Sequence, residues 1–207
     1  MNKIKEFLIA SNNKKKLIEL KTIFEPYKIN VLSPADVGGI PEVEETGCTF
    51  EENAVLKATK IAALTGKYVF ADDSGLEVEA LGNKPGVYSA RYAGPGASDA
   101  DRISKLLEEL RFKNNRKAHF VCVIAISSPS GEIRTYRGEV YGRIIDTPRG
   151  GLGFGYDPIF VPDGFEQTFA ELSAEIKNKI SHRAKAIAKA LSDEKLLTPN
   201  TKTEAAL

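Results

Sequence analysis

Tyr68-Val69-Phe70-Ala71-Asp72-Asp73-Ser74-Gly75 is the stretch on which the fold of this chain turns. Four residues suited to a buried strand run straight into two carboxylates, a hydroxyl and a glycine. The polar quartet therefore reads as the carboxyl end of a strand spanning 68–71. Ligands in open α/β sheets gather outside the carboxyl ends of strands. Two adjacent carboxylates there can bind a hard cation, activate a water, or both. Asp, Ser and Gly equally favour a plain turn. The apolar strand feeding directly into them tips the reading toward a site.

Working outward, the neighbouring segments alternate between strand and helix. Phe7-Leu8-Ile9-Ala10 is a short apolar run, followed by Ser11-Asn12-Asn13 as a turn and cap. Leu17, Leu20, Ile23 and Phe24 then recur at helical spacing until Pro26. Ile29 to Leu32 is a second strand, and Ser33 to Cys48 a loop. Thr49-Phe50-Glu51-Glu52 is a capping box opening a helix through Ala54, Ala58, Ile61 and Ala62, stopped near Gly66. Beyond the deciding stretch, 99–110 reads as a helix and 119–126 as a central strand. Ile133–Tyr136 and Glu139–Ile145 follow as antiparallel pieces after the turn Ser128-Pro129-Ser130-Gly131. The loop Gly150-Gly151-Leu152-Gly153-Phe154-Gly155-Tyr156-Asp157-Pro158 precedes a strand over 159–161, and Ser181 caps a final helix. The order predicts an α/β fold: an elongated mixed β-sheet with flanking helices, in two lobes around a cleft. Residues 1–197 form one domain, and 198–207 read as a loose tail.

Composition limits what such a chain does. It has 207 residues, 42% hydrophobic and 28% charged, enough for a sizeable core. Its 29 Lys+Arg against 28 Asp+Glu leave a net charge of +1, without the basic excess of a general nucleic-acid coat protein. No apolar run reaches the roughly 18 residues of a membrane helix, and the start has no secretory h-region. The 2 cysteines, Cys48 and Cys122, give no disulfide framework. These features point to the cytoplasm and reduced thiols. Charge is nonetheless segregated: lysines crowd residues 1–28, whereas Ile29 to Leu56 has no Lys or Arg and carries Asp36, Glu42, Glu44, Glu45, Glu51 and Glu52. Separate basic and acidic segments suit a site for a polyanion and a divalent cation, although charge runs are commonly just solvated faces.

Several segments carry chemistry without deciding it singly. Ser11 to Lys16 puts a hydroxyl, two amides and three ammonium groups at a helix start, where free N–H groups favour an anion. It is not a Walker A motif, and the 150–158 loop is not a Rossmann fingerprint. Those glycines let the backbone approach a flat ligand, with Phe154 or Tyr156 as a stacking face. Glu44-Glu45-Thr46-Gly47 could complete a magnesium site with Asp73. His119 falls within a strand and reads as structural, whereas His182-Arg183 offers donors for a base edge. Zinc spacing and a Gly-x-Ser-x-Gly elbow are both missing.

Together, these segments resemble the inosine/xanthosine triphosphate pyrophosphatase family. Ser11-Asn12-Asn13-Lys14-Lys15-Lys16, Glu44-Glu45-Thr46-Gly47, Thr49-Phe50-Glu51-Glu52-Asn53-Ala54, Ala71-Asp72-Asp73-Ser74-Gly75-Leu76, Pro85-Gly86-Val87-Tyr88-Ser89-Ala90-Arg91-Tyr92, Gly153-Phe154-Gly155-Tyr156-Asp157-Pro158 and Ser181-His182-Arg183 occur in family order. The resemblance implies a homodimer with a central nucleotide cleft. It implies magnesium-dependent hydrolysis of non-standard purine triphosphates (ITP, dITP, XTP) to monophosphate and pyrophosphate. It implies phosphate contacts from the 11–16 loop, centred on Ser11, Asn13 and Lys16 with Asn12, Lys14 and Lys15 beside them, and further substrate contacts from Ser74 and Lys177. The implied metal carboxylates are Glu44 and Asp73, with Asp73 as the base. Phe154, Gly155, Tyr156, Asp157, His182 and Arg183 form the implied base pocket. A regulatory nucleotide-binding module and a pyrophosphatase for modified pyrimidines or methylated bases are the rival readings. Neither a nucleic-acid nor a membrane partner is expected.

Overall fold

The computed structural model describes residues 4–193, so the tail expected over 198–207 lies outside the described residues. The strands are β1 (Glu6–Ile9), β2 (Asn30–Leu32), β3 (Val69–Val78), β4 (Lys84–Pro85), β5 (Lys117–Ser127), β6 (Ile133–Ile144) and β7 (Phe160–Pro162). The α-helices are α1 (Lys14–Phe24), α2 (Phe50–Thr65), α3 (Asp99–Leu110), α4 (Ala174–Ile180) and α5 (His182–Ser192). One mixed sheet runs in the order β2-β1-β3-β5-β6-β7, with β4 also on β3. β1 lies parallel to β2 and β3, and the other pairs are antiparallel. The expected mixed α/β architecture is therefore the one observed. No helix among the described residues is long and apolar enough to cross a membrane.

Local chemistry explains the helices. Asn13 caps α1, its Oδ1 accepting from the amides of Lys15 and Lys16 at 3.0 and 3.2 Å. At α2 the capping box is complete: Thr49 Oγ1 accepts from the Glu52 amide at 3.1 Å, and Glu52 Oε2 accepts from the Thr49 amide at 3.0 Å. α4, a helix of two turns, has no counterpart in the sequence reading, being too short for a periodic apolar face.

Two strands depart from expectation for one reason. β3 does not stop at Ala71 but continues to Val78, so Asp72-Asp73-Ser74-Gly75 lies in mid-strand. β5 pairs with all of it, from Val69↔Ser127 to Val78↔Ala118. Polar side chains interrupt an apolar run, but they do not interrupt a backbone ladder whose partner strand is long. For the same reason β6 is one strand of 12 residues through Arg137-Gly138 rather than two pieces.

The sheet still has an opening where the sequence placed a site. On the edge of β3 away from β5, β1 pairs only with Val69 and Phe70, and β4 only with Glu77 and Val78. Among the described residues the stretch between them has no strand beside it on that edge, and it forms the floor of the cleft.

Three packed clusters surround that opening. α1 and α5 cover one face, where Phe7, Phe24 and Phe70 meet at ring distances of 5.4–6.3 Å. α2 covers the other, with Ala54, Ala58 and Ile61 against Leu8, Val69 and Val121. At the far end, α3 contributes Leu106 and Leu110 to a core with Leu76, Phe120, Phe160 and Phe169. Since α2 carries site residues, its start matters. Thr49→Ala should lower the unfolding free energy by about 1 kcal/mol, read as a lower urea midpoint at unchanged slope. An unchanged midpoint would show that the box adds nothing.

Candidate active site

A strand turns successive side chains to opposite faces, and this separates the two aspartates. Asp72 points toward α1 and α5, and Asp73 toward α2. The expectation of a carboxylate pair acting side by side at a strand end is therefore corrected: each has its own environment.

On the α2 side, Lys57 is buried in the apolar stripe of its helix. Its Nζ donates to Glu45 Oε1 and the Asp72 carbonyl at 2.8 Å, and to Asp73 Oδ1 at 3.2 Å. Asn53, one turn earlier, donates to Asp73 Oδ2 at 3.2 Å. Burial raises the Asp73 carboxyl above its ordinary value, and Lys57 only partly offsets this. The ammonium is shared with Glu45, which sits nearer and whose own charge pushes Asp73 further up. Burial would also raise Glu45, but Lys57 and Arg91 hold it below its usual value.

The α5 side has the opposite balance. Arg183 is fully buried and donates to Asp72 Oδ2 from Nε and Nη2 at 3.3 and 3.1 Å, to Ser74 Oγ at 3.1 Å and to Glu19 Oε2 at 2.6 Å. Lys16 Nζ reaches Asp72 Oδ2 at 3.0 Å. Burial alone would raise the Asp72 carboxyl, yet Lys16, Arg183 and Lys57 hold it far below the carboxylate range. Asp72 is thus a fixed anion, and Asp73 a carboxylate whose proton affinity lies above the ordinary value.

The glycine-rich loop forms the wall opposite. Phe154 is half-buried and faces three cations, with Lys177 Nζ 5.0 Å from its ring centre and Lys15 Nζ and the Arg183 guanidinium each 5.9 Å away. Tyr156 is buried instead, its hydroxyl donating to the Ser89 carbonyl at 3.1 Å, so the exposed aromatic face here is that of Phe154. Asp157 accepts from the Phe154 amide at 2.8 Å and from Lys177 Nζ at 2.5 Å. Gly153 has φ +78°, and a Cβ there would lie 2.1 Å from Asp157 Oδ2, so the turn admits only glycine. His182 stacks on Phe120 at 4.8 Å, and burial, helped by Arg183, pushes its pKa well below the ordinary value, leaving it neutral. Its Nδ1 is buried without a hydrogen-bond partner among the described residues.

These side chains line two adjoining cavities. The first, about 490 Å³, takes in Asn13, Lys14, Lys15, Lys16, Asp73, Ser74, Phe154, Gly155, Tyr156, Asp157, Lys177, His182 and Arg183. The second, about 650 Å³, takes in Ser11, Asn12, Glu44, Asp72, Lys57 and Arg91. Lys16 and Glu45 belong to both. Three expectations change in detail. The α1 terminus offers fewer free amides than its position suggests, because Asn13 occupies those of Lys15 and Lys16. Arg183 spends its donors on Asp72, Ser74 and Glu19 rather than on open space. Glu44 is exposed on the rim of the second cavity, and it is Glu45 that shares Lys57 with Asp73. Lys57, Asn53, Glu19 and Arg91 were not anticipated. A lysine on the buried face of a helix was the available signal for Lys57.

Residues 7–193 match the Ham1 family. The chain belongs to the Ham1 family. Among its relatives, a dITP/XTP pyrophosphatase of Bacillus licheniformis is 53% identical over 188 residues, 90% of this chain and 96% of that protein. A dITP/XTP pyrophosphatase of Bacillus subtilis is 50% identical, with 90% and 95% covered. The structure of the Staphylococcus aureus Ham1 protein superposes with a TM-score of 0.80 at 49% identity, covering 89% of this chain and 95% of that one. A Ham1 protein from Coxiella burnetii gives 0.82 at 42% identity, with 89% and 95% covered. With such relatives, this Ham1 chain is an enzyme, a hydrolase.

Opposite environments imply unequal costs. Asp72→Asn leaves Arg183 buried with one carboxylate and should lower stability at pH 7 by about 3 kcal/mol. Because the Asp72 pKa is depressed, its contribution is present above the ordinary Asp value and fades only as pH falls toward strong acid. Asp73→Asn leaves Lys57 paired with Glu45 and removes a carboxylate that burial disfavours, so its loss at pH 7 should be clearly smaller than that of Asp72→Asn. Denaturant melts of both variants test this, and equal losses would contradict the assignment.

Proposed function

We propose that the chain hydrolyses non-standard purine nucleoside triphosphates (dITP, ITP and XTP) to the monophosphate and pyrophosphate, using magnesium. This keeps such nucleotides out of DNA and RNA. The observation that carries the reading is the meeting of two unlike cavities beside Asp73 and Lys16. The first combines the aromatic face of Phe154 with Lys14, Lys15, Lys16 and Lys177 and suits a flat base with the head of a phosphate chain; the second sets Lys16, Lys57 and Arg91 among Glu42, Glu44, Glu45 and Asp72 and suits further phosphate oxygens held together with a cation. The printed names of the relatives support the substrate class.

The donors suit magnesium. The Lys57 ammonium already lies among three oxygens, so these surroundings favour positive charge. Among the described residues no three His, Cys, Asp or Glu side chains gather to hold a metal alone. A hard, hydrated ion needs only one or two carboxylates when substrate phosphates supply the rest. Asp73 and Glu44 are the proposed ligands. Glu45 is engaged by Lys57 and Arg91, whereas Glu44 has no ion pair among the described residues. Bound there, the ion would acidify a water and offset phosphate charge.

The chain's own residues do the rest. Asp73 accepts the proton of the attacking water. The water oxygen bonds to a phosphorus of the α–β bridge, the bridging P–O bond breaks, and its electron pair leaves on the departing phosphate. Lys57 and Asn53 hold Asp73 in position. Lys14, Lys15 and Lys16 set ammonium groups along the phosphates, with Ser11, Asn12, Asn13 and Ser74 as polar contacts. Phe154 stacks on the base, while Gly155 and Tyr156 shape the pocket around it.

Selectivity rests on donors. Hypoxanthine and xanthine carry a 6-oxo acceptor where adenine carries an amino donor. Neutral His182 and Lys177 on Asp157 supply N–H groups that favour the oxo bases, while Arg183, its donors spent on Asp72, Ser74 and Glu19, shapes the pocket wall. An amino group at the 6-position would leave buried donors facing each other, and guanine, which shares the 6-oxo group, is refused at its 2-amino group by the closeness of the pocket or a nearby donor. The reading includes a homodimer working in the cytoplasm on free nucleotides, in keeping with a net charge of +1. Pyrophosphate release should run at least about tenfold more efficiently on ITP, dITP and XTP than on ATP or GTP, and only with magnesium. Asp73→Asn should abolish turnover while inosine monophosphate still binds. Equal efficiency on GTP and ITP would contradict the selectivity, and a fully active Asp73→Asn the mechanism.

A further inference from the structure

The second cavity holds one cation that the mechanism above leaves unused. Lys16 is paired with Asp72 at 3.0 Å, and Lys57 is enclosed by Glu45, Asp73 and the Asp72 carbonyl. Arg91 differs from both. It is the last residue of the 3-10 segment 86–91 that packs on β3, where Ser89 Oγ accepts from the Leu76 amide at 2.9 Å. From there Nη1 donates to Glu45 Oε2 at 3.1 Å, and the guanidinium lies 5.0 Å from the ring centre of Tyr88. Its side chain stays 38% exposed at the cavity wall. A guanidinium has five N–H donors, and among the described residues Arg91 uses only Nη1 in a hydrogen bond. The Tyr88 ring beside it restrains the guanidinium, while its other N–H groups have no hydrogen-bond partner among the described residues. That is a preorganised receptor for a phosphate, which a guanidinium can bind with two parallel hydrogen bonds.

We infer that Arg91 binds the β- and γ-phosphates of the substrate, and the pyrophosphate they become, in the second cavity. The inference rests on the hydrolytic reading above and adds a residue to it. With the base against Phe154 in the first cavity, a phosphate chain running past Lys16, common to both, would bring its distal end to the Arg91 side, where Glu42 and Glu44 also line the wall and would share a cation with it. Glu45 links the two halves: it holds Arg91 from one oxygen and Lys57 from the other. A phosphate arriving at Arg91 would thus be felt at the ammonium beside Asp73.

Titration calorimetry of the full chain with inorganic pyrophosphate plus magnesium, and separately with inosine monophosphate, tests this. Arg91→Ala should weaken pyrophosphate binding at least about tenfold and leave monophosphate binding within about twofold. Arg91→Lys, which keeps the charge but loses the fork, should fall between. Unchanged pyrophosphate affinity in Arg91→Ala would overturn the inference. So would parallel losses for both ligands, which would make Arg91 only a brace for the cleft. A parent chain that binds no pyrophosphate would overturn it too. Turnover of ITP by the parent chain, measured on the same preparation, separates failure of this inference from failure of the hydrolytic reading.

Discussion

The pleat of one strand organises this molecule. Asp72 and Asp73 are neighbours in the chain, but the alternation of β3 sends them to opposite faces of the sheet. Each then meets a different helix system: Asp72 meets α1 and α5 through Lys16 and Arg183, and Asp73 meets α2 through Asn53 and Lys57. The faces communicate because β1 and β4 leave part of the β3 edge uncovered. Without that gap, both carboxylates would be sealed in the sheet, and neither cavity would reach them.

Charge arithmetic follows from this placement. Asp72 has two close cations and is held ionised; Asp73 has one, shared with Glu45, and is pushed toward its neutral form. Environments that drive two carboxylates apart in proton affinity assign them different work. Asp72 anchors the lysine loop and the buried guanidinium, which keeps Lys16 and the pocket wall in place. Asp73 is left as the group able to exchange a proton. Buried ion pairs add little net stability compared with apolar packing, so their value here lies in geometry. The three apolar clusters supply the stability, and the ionic network fixes where its members point.

Much of this was legible in the residues. Helix starts were readable because capping is local: Asn13, Thr49 and Ser181 each satisfy amides two or three positions away. The grouping of Lys16, Asp73, Phe154, Lys177 and His182 around one cavity was also anticipated, through ordered motifs rather than through any one of them. What escaped was long-range. The length of β3 is set by β5, some fifty residues on, not by its own polar quartet. Lys57 was hidden in an amphipathic pattern as an ordinary helix residue. Whether Glu44 or Glu45 turns inward depends on an extended loop without periodicity. The Arg183–Glu19 contact joins residues 164 apart, and no spacing rule predicts it.

The central claim is that two adjacent aspartates have proton affinities displaced in opposite directions from the ordinary value. Carbon-detected NMR titration of aspartate carboxyls, with Asp73→Asn used to assign that signal, measures this directly. The account expects the Asp73 carboxyl to titrate above 3.8 and the Asp72 carboxyl to remain ionised well below it. Two carboxyls titrating together near the ordinary value would contradict it.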